Sequence, residues 1–311
     1  MHKALLNRVS QIPNLNLYRR GEYIRIMYDR RLKNEEIFKD TEYCYTTIKD
    51  LKDVVKESIE NQRFIPATEI LSIIVKDDLR RDGKVIVSGK RTLEASEVYS
   101  KMGKKVGILN FASATNPGGG VVQGSSAQEE SICRCSTLYP CLNDKNMWDN
   151  FYFPHRREHN PLNNDDCIFT PNVMVFKSDI DFPAFVDREE WWKVDVITIA
   201  APNLRTNPSN MFNPYSGAEK ADISEDDLRV LLEKRIRRVF EVAIKEEIEV
   251  LILGAFGCGA FRNPPHIVSD VFAQMTKEYR KCFDVIEYAV YHTEYETKNY
   301  KAFKRAMEQF E

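Results

Sequence analysis

Residues 110–130 read NFASATNPGGGVVQGSSAQEE. Leading into them is the apolar run VGILNFA at 106–112, the composition of a strand buried on both faces. Three consecutive glycines follow, Gly118, Gly119 and Gly120. Fixing such a run costs much backbone entropy, so a chain keeps it where φ must be positive or where a ligand comes close to the backbone. Seven residues later stand Gln128, Glu129 and Glu130, opening a segment at 131–142 that reads as helical in its first part. The order is strand, glycine loop, then paired acids at a helix start. Amides of such a loop can hold a polar or anionic ligand. Two adjacent carboxylates in unlike environments can divide acid–base work between them. Each part alone has a plainer reading. A glycine run is a common turn, and first-turn glutamates complement the helix dipole.

A second glycine-rich element, GAFGCGAFR at 254–262, follows the strongest strand run, VLILGAF at 250–256. It leads into a helix whose cap and first-turn prolines read as Asn263, Pro264 and Pro265. Strand, glycine loop and helix N-terminus is an arrangement that binds phosphate or diphosphate. The element lacks the Lys and Ser/Thr of a Walker A loop and the GxGxxG spacing of a dinucleotide fold. Phe261 either offers a ring face to a sugar or base or belongs to the core.

Outward from these two elements, further β-rich runs lie at 85–87, 173–176, 194–201 and 288–291. Helical stretches separate them. One is capped by Ser224, with Asp227 three residues on, and reaches about Lys245. Strands alternating with helices predict an α/β protein, a three-layer α/β/α sandwich with a mixed central sheet. Residues 35–40 and 46–61 pair mixed charge with three- and four-residue apolar spacing, so 1–80 is read as a mostly helical extension packed on a catalytic domain at 81–311. Two irregular stretches, 142–170 and 203–222, are long enough to be functional or mobile loops.

The chain of 311 residues is 43% hydrophobic and 30% charged, an ordinary globular composition that excludes disorder as the main state. Its length suits about two domains. A net charge of −2 argues against charge-driven or sequence-specific nucleic-acid binding. No run approaches about 18 uninterrupted apolar residues, so no membrane helix is expected, and the N-terminus lacks the apolar core of a secretory signal. Seven cysteines, an odd number, fit reduced thiols and a cytoplasmic location better than a disulfide framework.

GGG, seven intervening residues, then QEE resembles the signature of poly(ADP-ribose) glycohydrolase, in the compact microbial branch with a macrodomain-like fold and a short N-terminal extension. The resemblance runs from about residue 40 to the C-terminus and includes PNVMVF, VDVITIAAPN and LILGAFGCGAFRNPP. It implies cleavage of the ribose–ribose O-glycosidic bond of poly(ADP-ribose) or ADP-ribosylated protein, with ADP-ribose as product and no cofactor or metal. It implies that Glu130 is the catalytic acid, that Glu129 positions the ribose beside the scissile bond, and that Asn116 contacts the distal ribose. The Gly118–Gly120 loop would lie along the diphosphate and distal ribose, and Gln128 is counted among the substrate-binding residues. Gly257, Cys258, Gly259, Ala260 and Phe261 would wrap the diphosphate from the other side. Glu130 must hold a proton near neutral pH, which burial beside Glu129 would favour. An ADP-ribose-binding module without turnover and a hydrolase of another ADP-ribosyl linkage stay open as alternatives.

Other signals compete weakly. Cys133, Cys135 and Cys141 lack the spacing of a structural zinc site and read as buried apolar residues. His155, His159 and Cys167 form a loose cluster in a polar stretch. Cys258 can be mistaken for a nucleophile, but small side chains are what a diphosphate-wrapping backbone needs. Trp191 and Trp192 read as packing at a layer edge, and Arg235, Arg237 and Arg238, with glutamates nearby, as a solvated helix face.

Overall fold

The apolar runs become strands because each buries side chains on two faces at once. Along β3 (Val106–Phe111), Ile108 packs into one core and Leu109 into the other. The same alternation holds on β5 (Trp192–Ile199) and β6 (Val250–Leu253): Val196 and Ile252 face one side, Ile197 and Leu251 the other. This computed structural model describes residues 17–73, 81–210 and 213–310. Of the expected N-terminal extension, 1–16 and 74–80 lie outside the described residues, as do 211–212 of the second irregular stretch.

The remaining strands are β1 (Arg63–Ile65), β2 (Lys84–Ser88), β4 (Cys167–Val175) and β7 (Val285–Ala289). They form one seven-stranded sheet in the order β1-β4-β5-β3-β6-β7-β2. β5, β3, β6, β7 and β2 run parallel, whereas β4 and β1 are antiparallel to their neighbours. Gly107 pairs with Asp195 on one side and with Leu251 on the other. One face is covered by helices from the C-terminal half: α7 (Glu225–Lys245), α8 (Pro265–Tyr279) and α9 (Lys298–Met307). The other is covered by α1 (Leu17–Thr47), α3 (Thr92–Lys101), α4 (Gln128–Cys135) and α5 (Leu138–Leu142). The three-layer, macrodomain-like α/β/α sandwich is therefore present. Among the described residues no helix is long and apolar enough to cross a membrane.

The N-terminal helices are integral to that sandwich. α2 (Lys49–Asn61) leads straight into β1, which joins the sheet beside β4. From α1, Arg31 donates to the Gln123 carbonyl at 3.1 Å and Asn34 to the Gly124 carbonyl at 3.1 Å, so this helix braces the chain between the glycine run and the acid pair. The buried Lys177 ammonium donates to Asp40 at 2.7 Å and to Thr41 at 2.8 Å, holding α1 from the sheet side.

Several local expectations need correction. The strand expected at 173–176 is the tail of a longer one beginning at Cys167, and that at 288–291 begins earlier, at Val285. Residues 145–158 form α6, helical with one π turn at Trp148–Tyr152. Asn263 is not the helix cap: Pro264 occupies that position, and the Asn263 amide braces the preceding loop. Ser224 does cap α7, accepting from the Asp227 amide at 3.1 Å.

The largest correction concerns the arginines. Arg235 and Arg238 are buried, not solvated. The Arg235 guanidinium donates to Asp165 at 3.0 Å, to the Leu162 carbonyl at 2.9 Å and to the Ala200 carbonyl at 3.0 Å. Burial alone would push the Asp165 carboxyl up, but Arg235 and then Lys234 hold it below its ordinary value. Removing one partner of a buried pair leaves the other charge uncompensated. We therefore expect Arg235→Met to destabilise the fold by about 3 kcal/mol in denaturant titrations. Lys234, 2.8 Å from Asp165, keeps the loss from being larger.

Candidate active site

Both glycine elements emerge from the carboxyl ends of adjacent parallel strands, β3 and β6. A crevice there is where open α/β sheets bind ligands. Beyond β3 the chain turns through Gly118, Gly119 and Gly120 and returns along α4, whose first turn carries Gln128, Glu129 and Glu130.

Gln128 fixes that return. Its Oε1 accepts from the Phe111 amide at 2.9 Å, and its Nε2 donates to the Leu109 carbonyl at 2.7 Å and Thr92 Oγ1 at 3.1 Å. The side chain bolts the helix start to β3. The sequence reading counted it among the substrate-binding residues; both ends of its amide are instead bonded to the scaffold.

The two carboxylates are buried in different ways. Glu129 has both oxygens held: Oε1 accepts from Asn110 Nδ2 at 3.2 Å and Oε2 from the Ser113 amide at 2.8 Å. Burial, then the neighbouring Glu130 charge, pushes the Glu129 carboxyl well above the usual carboxylate range, against the donors that favour its ionised form. Glu130 Oε1 accepts from the Gly120 amide at 2.9 Å, whereas its buried Oε2 has no hydrogen-bond partner. Gly119 lies against both acids with φ of +60°. A Cβ there would stand 2.6 Å from Glu130 Oε1 and 3.1 Å from Glu129 Oε2. Only glycine serves at such a position.

The second loop presents backbone. Gly257 has φ of +71°, and a Cβ on it would meet Asn263 Nδ2 at 2.5 Å and Ala201 at 2.6 Å. Asn263 donates to the Pro202 carbonyl at 2.7 Å and to the Gly257 carbonyl at 3.1 Å, tying the loop to the end of β5. Among the described residues the amides of Gly257, Gly259, Ala260 and Phe261 have no backbone acceptor, and Gly259 and Ala260 are exposed. Successive free amides suit an anion. Phe261 is half-buried and packs partly on the core, between the two readings offered for it. Burial pushes the Cys258 thiol up to about 12, which leaves it protonated and a poor nucleophile.

Sequence reasoning missed Arg156. It donates to the Thr115 carbonyl at 2.6 Å and to Asn116 Oδ1 at 2.5 Å. Its guanidinium lies 4.5 Å from the Trp148 ring centroid and 4.7 Å from that of Tyr215. It therefore staples the stretches at 145–158 and 203–222 to the residue that leads into the glycine run. Only the irregular stretches themselves hinted at this. Arg156→Ala is expected to raise KM about tenfold with little change in kcat. Arg156→Lys should not rescue it, since an ammonium cannot be sandwiched and bidentate at once. A matching fall in kcat would assign Arg156 to the chemistry instead. Of the loose histidine cluster, His155 is buried and bonded to the Phe151 carbonyl at 2.8 Å and Asn164 at 2.9 Å, a structural role.

Fold and site define a macrodomain-like protein with a buried acid pair against one glycine loop and a second glycine loop at the end of the neighbouring strand. Comparison with known proteins narrows this. Residues 33–178 match the family "Microbial-type PARG, catalytic domain". The fold is similar to poly(ADP-ribose) glycohydrolase from Thermomonospora curvata bound to the inhibitor ADP-HPD, at 28% identity and a TM-score of 0.72 over 88% of this chain and 99% of that one. A second structure of the Thermomonospora curvata glycohydrolase matches at 27% identity and a TM-score of 0.74 over 89% of this chain and 100% of that one. A point mutant of the Deinococcus radiodurans glycohydrolase in complex with ADP-ribose matches at 28% identity and a TM-score of 0.67, over 82% and 98%. None of the curated proteins matches. Over these spans the chain is similar to the microbial-type poly(ADP-ribose) glycohydrolases.

Proposed function

We propose that this protein is a poly(ADP-ribose) glycohydrolase, a glycosidase that hydrolyses the ribose–ribose O-glycosidic bond and releases ADP-ribose, with Glu130 as its general acid and base. The observation that carries the assignment is the unequal pair. Glu129 has both oxygens tied to the scaffold, while Glu130 is pinned by one oxygen and leaves Oε2 unpartnered in a buried site. A pinned carboxyl with one free oxygen can deliver a proton along a fixed direction. Burial, then the neighbouring Glu130 charge, holds the Glu129 carboxyl well above the usual carboxylate range.

In the reaction the Glu130 carboxyl gives its proton to the departing ribose oxygen as the C–O bond breaks. The ribosyl carbon becomes oxocarbenium-like. Water adds there, and the Glu130 carboxylate takes the proton that water loses. Glu129 accepts hydroxyl hydrogen bonds from the ribose beside the scissile bond. Gly118, Gly119 and Gly120, with Asn116, line the diphosphate and distal ribose, and the 257–261 amides take the diphosphate from the other side. Two solved relatives hold ADP-ribose or ADP-HPD, which supports ADP-ribose as the ligand class. The substrate would be free poly(ADP-ribose) or the chain carried by an ADP-ribosylated protein. The test is incubation of purified protein with poly(ADP-ribose), with released ADP-ribose followed by chromatography. No release, with ADP-ribose still bound, would replace the hydrolase with a reader module.

A further inference from the structure

A third buried acid, Asp179, grips the helix that carries the acid pair. It follows β4, and its Oδ1 accepts from the Ser131 hydroxyl at 2.7 Å. Its Oδ2 accepts from the Leu93 amide, in the first turn of α3, at 3.3 Å. Ser131 is the residue after Glu130. Burial pushes the Asp179 carboxyl up, while the Ser131 hydroxyl, Arg91, the Leu93 amide and Arg134 favour its charge. A buried carboxylate is costly unless its oxygens are occupied, and here both are.

The chain leading to Asp179 runs along α4. The Phe176 and Lys177 amides donate to the Cys135 carbonyl, at the end of that helix, at 3.0 and 3.2 Å. Asp179 takes hold nearer its start, at Ser131. Gln128, three residues earlier and so on the same side of the helix, is tied to β3 and to Thr92. One anchor lets a short helix pivot, whereas two anchors a turn apart fix both its rotation and its tilt. Glu130 is held by one oxygen at the Gly120 amide, so the heading of its unpartnered Oε2 follows the helix that carries it.

We propose that Asp179 is a positioning residue for the hydrolysis: through Ser131 it fixes the rotation of α4 and so aims the Glu130 carboxyl at the departing oxygen. The inference rests on the glycohydrolase reading and adds to it a residue that works through the helix rather than on the ligand.

The test measures kcat and KM for ADP-ribose release from poly(ADP-ribose) by the full chain. Ser131→Ala and Asp179→Asn are each made in the wild-type and in the Glu130→Gln background. Misplacing a reacting group by about 1 Å can cost about 100-fold in rate, so loss of one of two anchors in Ser131→Ala should lower kcat about tenfold and leave KM within about twofold. Asparagine at 179 sets an amide N–H against one of the two donors, so Asp179→Asn should lose at least as much. In the Glu130→Gln background neither change should lower the residual rate more than about twofold, because the group they aim is already gone. A merely structural role would lower the rate alike in both backgrounds. Alanine favours a helix, so Ser131→Ala carries the test if Asp179→Asn fails to fold. Unchanged kcat in Ser131→Ala, a rise in KM in place of the fall in kcat, or equal losses in both backgrounds would each overturn the proposal. If the wild type releases no ADP-ribose, the glycohydrolase reading fails first, and this inference falls with it.

Discussion

Glu130→Gln is expected to lower ADP-ribose release from poly(ADP-ribose) by about 10²–10⁴-fold, the range typical of a lost general acid, while ADP-ribose affinity stays within about tenfold. Glutamine keeps an oxygen for the Gly120 amide but has no proton to give. The loops that hold the ligand do so in the ground state, whereas Glu130 acts as the bond breaks, so kcat should fall and binding should not. A stability measurement separates this from misfolding. Glu129 is raised by burial first and by the Glu130 charge second. A carboxyl whose native pKa is raised contributes stability that is full below its unfolded value and is lost as pH rises through the native one. Removing the Glu130 charge lessens that loss, so the variant should melt no lower than the wild type at neutral pH. Collapse of ADP-ribose binding in a well-folded Glu130→Gln protein would show that the carboxyl binds rather than reacts.

Gly119→Val is expected to abolish detectable turnover and weaken ADP-ribose binding at least about 100-fold. Two effects add. A β-branched residue at φ of +60° is strained by about 1–3 kcal/mol. Its Cβ would also stand 2.6 Å from Glu130 Oε1, a contact that forces the carboxylate or the loop to move. Gly103→Val separates them. Gly103 has φ of +76°, and nothing lies within 4 Å of its would-be Cβ, so that variant carries the strain without the clash. It should lose stability and keep full activity. Unchanged ADP-ribose affinity in Gly119→Val, measured by calorimetry, would remove the loop from the site.

Much of this protein is local and was legible in its order of residues. The runs at 106–112 and 250–256 suited strands buried on both sides, and the structure pairs Val106–Phe111 with Val250–Leu253 inside the sheet. Ser224 with Asp227 marked the start of α7. The glycine run followed by paired acids pointed to a candidate site, and the structure does bring Gly119 and Gly120 against Glu129 and Glu130, because these features depend on residues a few positions apart. What tertiary structure alone decided involves partners distant in the chain. β1, three residues long, exists because β4 offers it an edge. Arg235 looks like one more charge on a solvated helix until Asp165 and the Ala200 carbonyl, 70 and 35 residues away, enclose it. Arg156 acquires its place only when Trp148, Tyr215 and Asn116 converge on it. The difference between Glu129 and Glu130 is of the same kind. In sequence they are twin acids, and Asn110, Ser113 and Gly120, brought in by the turn of the chain, leave just one of their four oxygens without a partner. Periodicity records whether a side chain is buried, but charge and reactivity depend on what it is buried against, and that is set by the fold.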